Sequence, residues 1–268
     1  PSVLWDAIRF NPVLPVKDAD GAYTYANGPS GAVLPLSNPV AYLENAKSGF
    51  YSLNAFSNVY GELEIIKGLK FRSSFGANYV SSGSENFVPS FLFASSGVGR
   101  ASQTSGRSYN YLTENVLTYM KEFGIHNINV AGGFTYQRWF DKSFFAGANN
   151  LSTNILGVDN LAVGSPLTPR SYFGEHSLAS YFARANYQLM DKYLLTLTLR
   201  ADGSSRFGEN DKWGYFPSGA FAWRVSEEEF VKNIKAVSDL KLRLSYGVTG
   251  NQEIGSYNWL SRYSNTSY

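Results

Sequence analysis

The sequence contains no cysteine, which excludes a disulfide scaffold, a thiolate zinc site and a cysteine nucleophile. Histidine is almost as scarce: His126 and His176 are the only two, far apart and in no His-x-x-x-His pair, whereas a zinc site needs three or four ligands. Charged residues make up 16% of the 268 residues, against about 25% in typical soluble domains. The formal net charge is +2 and no basic block occurs, so no nucleic-acid partner is expected. No run of 18 apolar residues exists, so no helix is expected to span a membrane. That leaves a β-barrel open, because a barrel strand needs only alternation. There is no Gly-x-Ser-x-Gly elbow and no phosphate-binding loop, so no enzyme is expected. The chain opens on Pro1-Ser2-Val3-Leu4-Trp5 without a basic start or an apolar h-region, and ends on a Ser/Asn/Tyr run. It is expected to be an internal piece of a longer protein.

What the chain has instead is aromatic content, 16% with 19 Tyr and 19 Phe, and long stretches of period-two alternation. Tyr suits places where one end of a side chain is dry and the other wet. Val59, Gly61, Leu63 and Ile65 alternate with Tyr60, Glu62 and Glu64. After Lys67-Gly68, Leu69, Phe71, Phe75, Ala77 and Tyr79 alternate with Lys70, Arg72, Ser74, Gly76 and Asn78, which is a hairpin signal. Residues 108–120 make another strand, with neither face assigned. Ile128 to Tyr136, Ala179 to Leu189, Tyr193 to Ala201, Tyr215 to Val225 and Leu240 to Val248 complete a set of eight. Many run to ten residues or more, the length a barrel strand needs to cross a membrane.

Connections at Lys67-Gly68, Lys121 to Ile125 and Asp191-Lys192 are short. Those at Val80 to Arg107, Arg138 to His176 and Gly203 to Lys212 are long. Strict alternation of short and long is the pattern of outer-membrane barrels, with short periplasmic turns and long extracellular loops. Ser226 to Asp239 falls where a short turn is due. It begins with Ser226-Glu227-Glu228-Glu229, which predicts a short periplasmic helix capped by Ser226 with Glu229 reaching back. Residues 1–47 carry turn signals at Asn11-Pro12, Asp20-Gly21, Asn27-Gly28 and Asn38-Pro39 and predict one long extracellular loop; residues 49–268 are the barrel strands and their connections. Tyr60, Tyr79, Tyr119, Tyr136, Tyr187, Tyr193, Trp213 and Trp223 fall at or near strand ends, as an aromatic girdle would.

Lys70, Arg72, Arg184, Arg200, Lys241 and Arg243 are expected to point inward, with Glu62, Glu64 and Asp202. They pair with one another or with a folded domain in the lumen, or else line a substrate path. Asp202, Glu209 and Asp211 share a loop whose spacing is not that of an EF-hand, so Asp/Arg pairing and glycine turns are expected to hold it. No residue is singled out for catalysis, metal ligation or substrate binding, and no cofactor is expected.

Several stretches are more specific than barrel grammar. They include Asn11-Pro12-Val13-Leu14-Pro15-Val16, Glu64-Ile65-Ile66-Lys67-Gly68-Leu69-Lys70-Phe71-Arg72 and Asp191-Lys192-Tyr193-Leu194-Leu195-Thr196. They continue with Arg200-Ala201-Asp202-Gly203-Ser204-Ser205-Arg206-Phe207-Gly208, Trp213-Gly214-Tyr215-Phe216-Pro217-Ser218 and Tyr246-Gly247-Val248-Thr249-Gly250-Asn251-Gln252. Together they resemble the SusC/RagA family of TonB-dependent outer-membrane transporters of Bacteroidetes, most densely from Ser177 to Tyr257. The resemblance implies an antiparallel up-and-down barrel of 22 strands, of which about eight are here, and an N-terminal plug. It implies TonB-driven import of glycans or oligopeptides and a SusD-like lipoprotein lid. The plug and the TonB box are not in this chain. A passive porin-like channel and a soluble β-rich carbohydrate-binding protein are the alternatives.

Overall fold

A computed structural model describes residues 3–25, 38–92, 97–234 and 236–260. Among the described residues nine antiparallel strands form one sheet: β1 (Lys47–Ile66), β2 (Leu69–Val88), β3 (Arg100–Phe123), β4 (His126–Asn149), β5 (Ser165–Pro166), β6 (Arg170–Leu189), β7 (Tyr193–Ser204), β8 (Trp213–Arg224) and β9 (Lys241–Gly247). The order is β1-β2-β3-β4-β6-β7-β8-β9, each strand beside its predecessor, with the two-residue β5 paired to the end of β4. The path is open, with β1 and β9 at its ends. The eight expected strands are all present, and no helix among the described residues is long and apolar enough to cross a membrane.

The strand registers explain the alternation. On one face Leu189, Tyr193, Trp223 and Leu242 stand in a row, then Tyr187, Leu195, Phe221 and Leu244, then Ala185, Leu197, Gly219 and Tyr246. On the other face the rows are Arg184, Thr198, Ser218 and Gly247, and Asn186, Thr196, Ala220 and Ser245. Leu197, Leu199 and Leu244 keep 52%, 54% and 75% of their surface exposed. A contiguous apolar face of that kind needs lipid or protein against it.

The chain divides into two compact units. The second comprises residues 55–79, 109–140 and 174–268. Its aromatic side chains form a band on the apolar face: Phe134 packs on Tyr181 at 4.9 Å, Tyr181 on Trp213 at 6.0 Å, and Tyr111 on Phe75 and Tyr136 at 6.4 and 6.3 Å. These contacts assign the unsettled faces of β3, since Tyr111 shares its face with Phe75 and Tyr136. Tyr79 and Tyr136 lie ten residues on from the strand starts at Leu69 and His126. Ten residues rise about 33 Å along a strand, and about 25 Å along the normal at the usual barrel tilt, the height of the apolar band of such barrels. Two residues beyond Tyr136 the same face turns charged, with Arg138 paired to Glu175 at 2.9 Å.

At the short-turn edge of this unit, each turn gives a carbonyl to the next strand. Gly68 O accepts from Met120 N, Ile125 O from Met190 N and Lys192 O from Arg224 N, each at 2.8 Å. The predicted turn at Lys121 to Ile125 shrinks to Gly124-Ile125, since β3 continues to Phe123. Gly68 has φ +85° and a Cβ there would collide with Met120 O. The segment after β8 holds a 3-10 turn (Val225–Glu227) and a four-residue helix, α1 of this unit (Glu229–Lys232). The capping box does not form: Ser226 Oγ bonds Asp239 Oδ1 at 3.2 Å, and the residue at the cap is Glu228. Glu228 is drawn elsewhere. Its carboxylate accepts from Lys192 Nζ at 2.9 Å, Tyr193 OH at 2.7 Å and Trp223 Nε1 at 3.1 Å. Those donors, Lys192 first, hold its carboxyl down at about 2, and Glu228 in turn raises the Lys192 ammonium.

The first unit comprises residues 1–54, 80–108 and 141–173. The expected loops at Val80 to Arg107 and Arg138 to His176 are largely strand here, since β2 runs to Val88, β3 starts at Arg100, β4 runs to Asn149 and β6 starts at Arg170. Phe87, Ala101, Ala148 and Leu151 form a small core, with Val158, Leu161 and Val163 packed on it. The described part of residues 1–47 holds two short helices, Val3–Arg9 and Pro39–Asn45. Asn38-Pro39, expected as a turn, starts the second: Asn38 Oδ1 accepts from Val40 and Ala41 N at 3.1 and 3.2 Å, and Pro39 sits at N1. Pro at N1 lacks an N–H that the helix would leave unpaired anyway. The same Asn38 donates to Val16 O and Thr24 O, tying the preceding segment down. The Asn27-Gly28 turn and the final Ser/Asn/Tyr run lie outside the described residues.

Two outcomes follow. Gly68→Ala is expected to lower stability by at least about 1–2 kcal/mol, the left-handed penalty for an L-residue, whereas Gly61→Ala, with open space around it, is expected to change it by under about 0.5 kcal/mol; urea titration of the folded barrel in detergent measures both. Glu228 has a depressed carboxyl, so its stabilisation is present above the unfolded value near 4.5 and is lost as pH falls towards 2. The fall in melting temperature across that window is expected to be steeper for the native chain than for Glu228→Gln.

Candidate functional site

The polar face of the second unit brings together most of the residues expected to point inward. Arg200 Nε donates to both Asp202 carboxylate oxygens at 2.7 and 2.8 Å, and its Nη2 donates to Ser180 Oγ at 3.0 Å. Ser180 is fully buried, so this pair is anchored to the wall. Arg184 Nε reaches Thr198 Oγ1 at 3.3 Å. Lys70 pairs with Glu62 at 3.1 Å, Arg72 lies over the Tyr60 ring at 4.2 Å, and Glu64 accepts from Gly68 N at 3.1 Å. Much of the inward charge is therefore neutralised within the wall. Lys241 and Arg243 lie on β9, facing the same way as Arg224 and Ala222.

Near the loop end of β6, β7 and β8, a second cluster forms that the residue pattern did not announce. His176, expected in a loop, lies within β6, and its ring stacks on Trp139 at 4.6 Å with 12° between planes. Arg206 Nη2 lies 3.1 Å from His176 Nε2, while its Nη1 donates to Gln252 O at 3.1 Å and to Glu253 Oε2 at 3.3 Å. Ser205 and Ser177 exchange two bonds, Ser205 N to Ser177 O at 3.0 Å and Ser177 N to Ser205 Oγ at 2.8 Å. The predicted Asp/Arg pairing is found, but Asp202 is in β7 and pairs with Arg200 rather than with a loop arginine. His126 begins β4 and is hydrogen-bonded, with Nδ1 2.7 Å from Tyr187 OH. Among the described residues no group of three or more His, Cys, Asp or Glu could hold a metal ion. The arrangement can bind and guide through hydrogen bonds and stacking; it assembles no nucleophile with a base.

The family model described as TonB dependent receptor-like, beta-barrel, matches residues 6–266. The chain belongs to that family. It is an outer-membrane β-barrel segment of the TonB-dependent receptor type. TonB-dependent receptor P3 of Formosa agariphila is 38% identical over 98% of this chain and 26% of that protein. TonB-dependent receptor SusC of Bacteroides thetaiotaomicron is 32% identical over 81% of this chain and 22% of that protein. In fold, the chain is similar to the RagAB peptide transporter, with a TM-score of 0.79 and 24% identity over 90% of this chain and 27% of that one. The chain thus spans about a quarter of the length of the relatives it matches.

Arg206 is the tie between the wall and residues 252–253. Arg206→Ala is expected to leave the strands intact while raising hydrogen–deuterium exchange across residues 249–254 at least tenfold.

Proposed function

We propose that the chain is part of the barrel wall of a TonB-driven importer of glycans or oligopeptides, working with a SusD-like surface lipoprotein. The observation that carries this reading is a ladder sorted into an apolar and a polar face, in a chain of the TonB-dependent receptor family. The short turns at Lys67-Gly68, Gly124-Ile125 and Asp191-Lys192 face the periplasm, and so does the helical segment around Glu228. The long connections and residues 1–47 face outward, where lid and cargo arrive. The plug and the TonB box belong to other parts of the parent protein, so energy coupling lies outside this chain. The wall contributes enclosure and a polar surface, and no catalysis, cofactor or nucleic acid is involved.

The competing readings differ in one measurement. Uptake of cargo by cells producing the full-length parent is expected to stop when the proton gradient is dissipated or TonB is removed. Uptake that continues unchanged indicates a passive channel and overturns the proposal. Recovery of the parent in the soluble fraction without detergent excludes both.

A further inference from the structure

The polar face carries more positive charge than its own carboxylates meet. Lys70 is paired with Glu62 and Arg200 with Asp202, while Glu64 is taken by Gly68 N. Near the short turns three further cations share that face. Arg224 stands directly opposite Lys241 across the β8–β9 ladder, and Arg243 stands opposite Ala222, one step along the same face. Lys241 and Arg243 are exposed and Arg224 is half-buried. Like charges directly opposite one another on a sheet face repel, so this cluster calls for an anion.

The chain itself does not supply one. Among the described residues no ion pair joins Arg224, Lys241 or Arg243 to a carboxylate. Arg224 Nη1 donates to a backbone carbonyl, Asp191 O, at 3.5 Å. Four carboxylates of that edge are engaged elsewhere: Glu227 with Lys232, Glu228 with Lys192, Tyr193 and Trp223, Asp191 with Gln188, and Asp239 with Ser226. A neighbouring strand cannot supply the charge for Arg224 either. β8 lies between β7 and β9 in the sheet. The residues flanking Arg224 are Lys192, whose carbonyl accepts its N–H, and Lys241. A negative group has to approach from above the face, on the side opposite the apolar rows.

We propose that Arg224, Lys241 and Arg243 form a docking site for an acidic segment of the parent protein from outside residues 1–268, seated on the polar face beside the short turns. The chain spans about a quarter of its relatives, so a much longer stretch of polypeptide is available to supply it. A carboxylate tethered in the same molecule meets the cluster at high effective concentration and serves as a standing counterion, where a free anion would exchange. The site rests on the barrel-wall reading and is independent of whether transport is energised or passive.

The test is zero-length carbodiimide cross-linking of the full-length protein in detergent, with the linked peptides mapped by mass spectrometry. Lys70 and Glu62, 3.1 Å apart, are the internal control. Lys241 is expected to link to an Asp or Glu outside residues 1–268. The double variant Arg224→Gln, Arg243→Gln is expected to lower that yield about tenfold, through the lost charge complementarity, with the Lys70–Glu62 link and the heat-modifiable gel mobility unchanged. The proposal is overturned if Lys241 links only within residues 1–268 or to the strand that follows β9. It is overturned as well if the control links and Lys241 does not, or if the folded double variant cross-links as the native protein does. Protection of Lys241 from acetylation by added inorganic phosphate, without a cross-link, assigns the cluster to a free anion and also overturns it. In each of these cases proton-gradient-dependent uptake by the same protein leaves the importer reading standing, so the two fail separately.

Discussion

Inside a bilayer there is no water to satisfy backbone N–H and C=O groups, so a spanning strand must find all its hydrogen bonds in neighbouring strands. That requirement fixes the ladder, and the ladder fixes which side chains share a face. Once Leu195 is set beside Tyr187 and Phe221, Thr196 has to stand beside Asn186 and Ala220 on the opposite side. The apolar rows, the aromatic band and the polar wall are successive expressions of one pairing scheme. A slip of one residue would exchange the two faces completely, and the turns and their handed-on carbonyls are what hold register.

The two edges of the second unit are built differently. At the short-turn edge a single carboxylate, Glu228, gathers Lys192, Tyr193 and Trp223, joining a turn, a strand start and a strand end. At the other edge, the polar face is closed over by side chains that come from distant parts of the chain, Trp139, His176, Arg206 and Gln252. The first fixes interfacial aromatics whose rings suit the boundary between lipid and water. The second shapes the polar surface at that edge.

What could be read from the residues follows from where physics forces a pattern. Period-two alternation arises where one face of a strand is apolar and the other polar, and there the strands, most of their faces and the turns at Lys67-Gly68 and Asp191-Lys192 were legible. Beyond Tyr79 and Tyr136 the period-two alternation fades, and Val80 to Val88 or Asp141 to Asn149 read as loop although they continue the strands. Ser226-Glu227-Glu228-Glu229 has the letters of a capping box, but Glu228 has stronger partners in Lys192, Tyr193 and Trp223, so the helix is shorter and starts later. The Arg206 cluster was invisible for another reason. Its members lie on β4, β6 and two loops, and only the register brings them together; the resemblance of Ser204-Ser205-Arg206-Phe207 and Gly250-Asn251-Gln252 to a family pattern was the sole hint.

The unequal connections also bear on how such a protein can change over generations. Within residues 150–169, the stretch between Ser152 and Val158 can gain or lose length while β4, β5 and β6 keep their pairing. The three residues between Leu189 and Tyr193 have no such freedom, because Lys192 O is already engaged by Arg224 N and Leu189 is paired with Tyr193. One residue inserted there would rotate β7 and turn its leucines to the water side. Over generations one rim of the sheet can therefore vary in length, while the opposite rim is kept nearly constant.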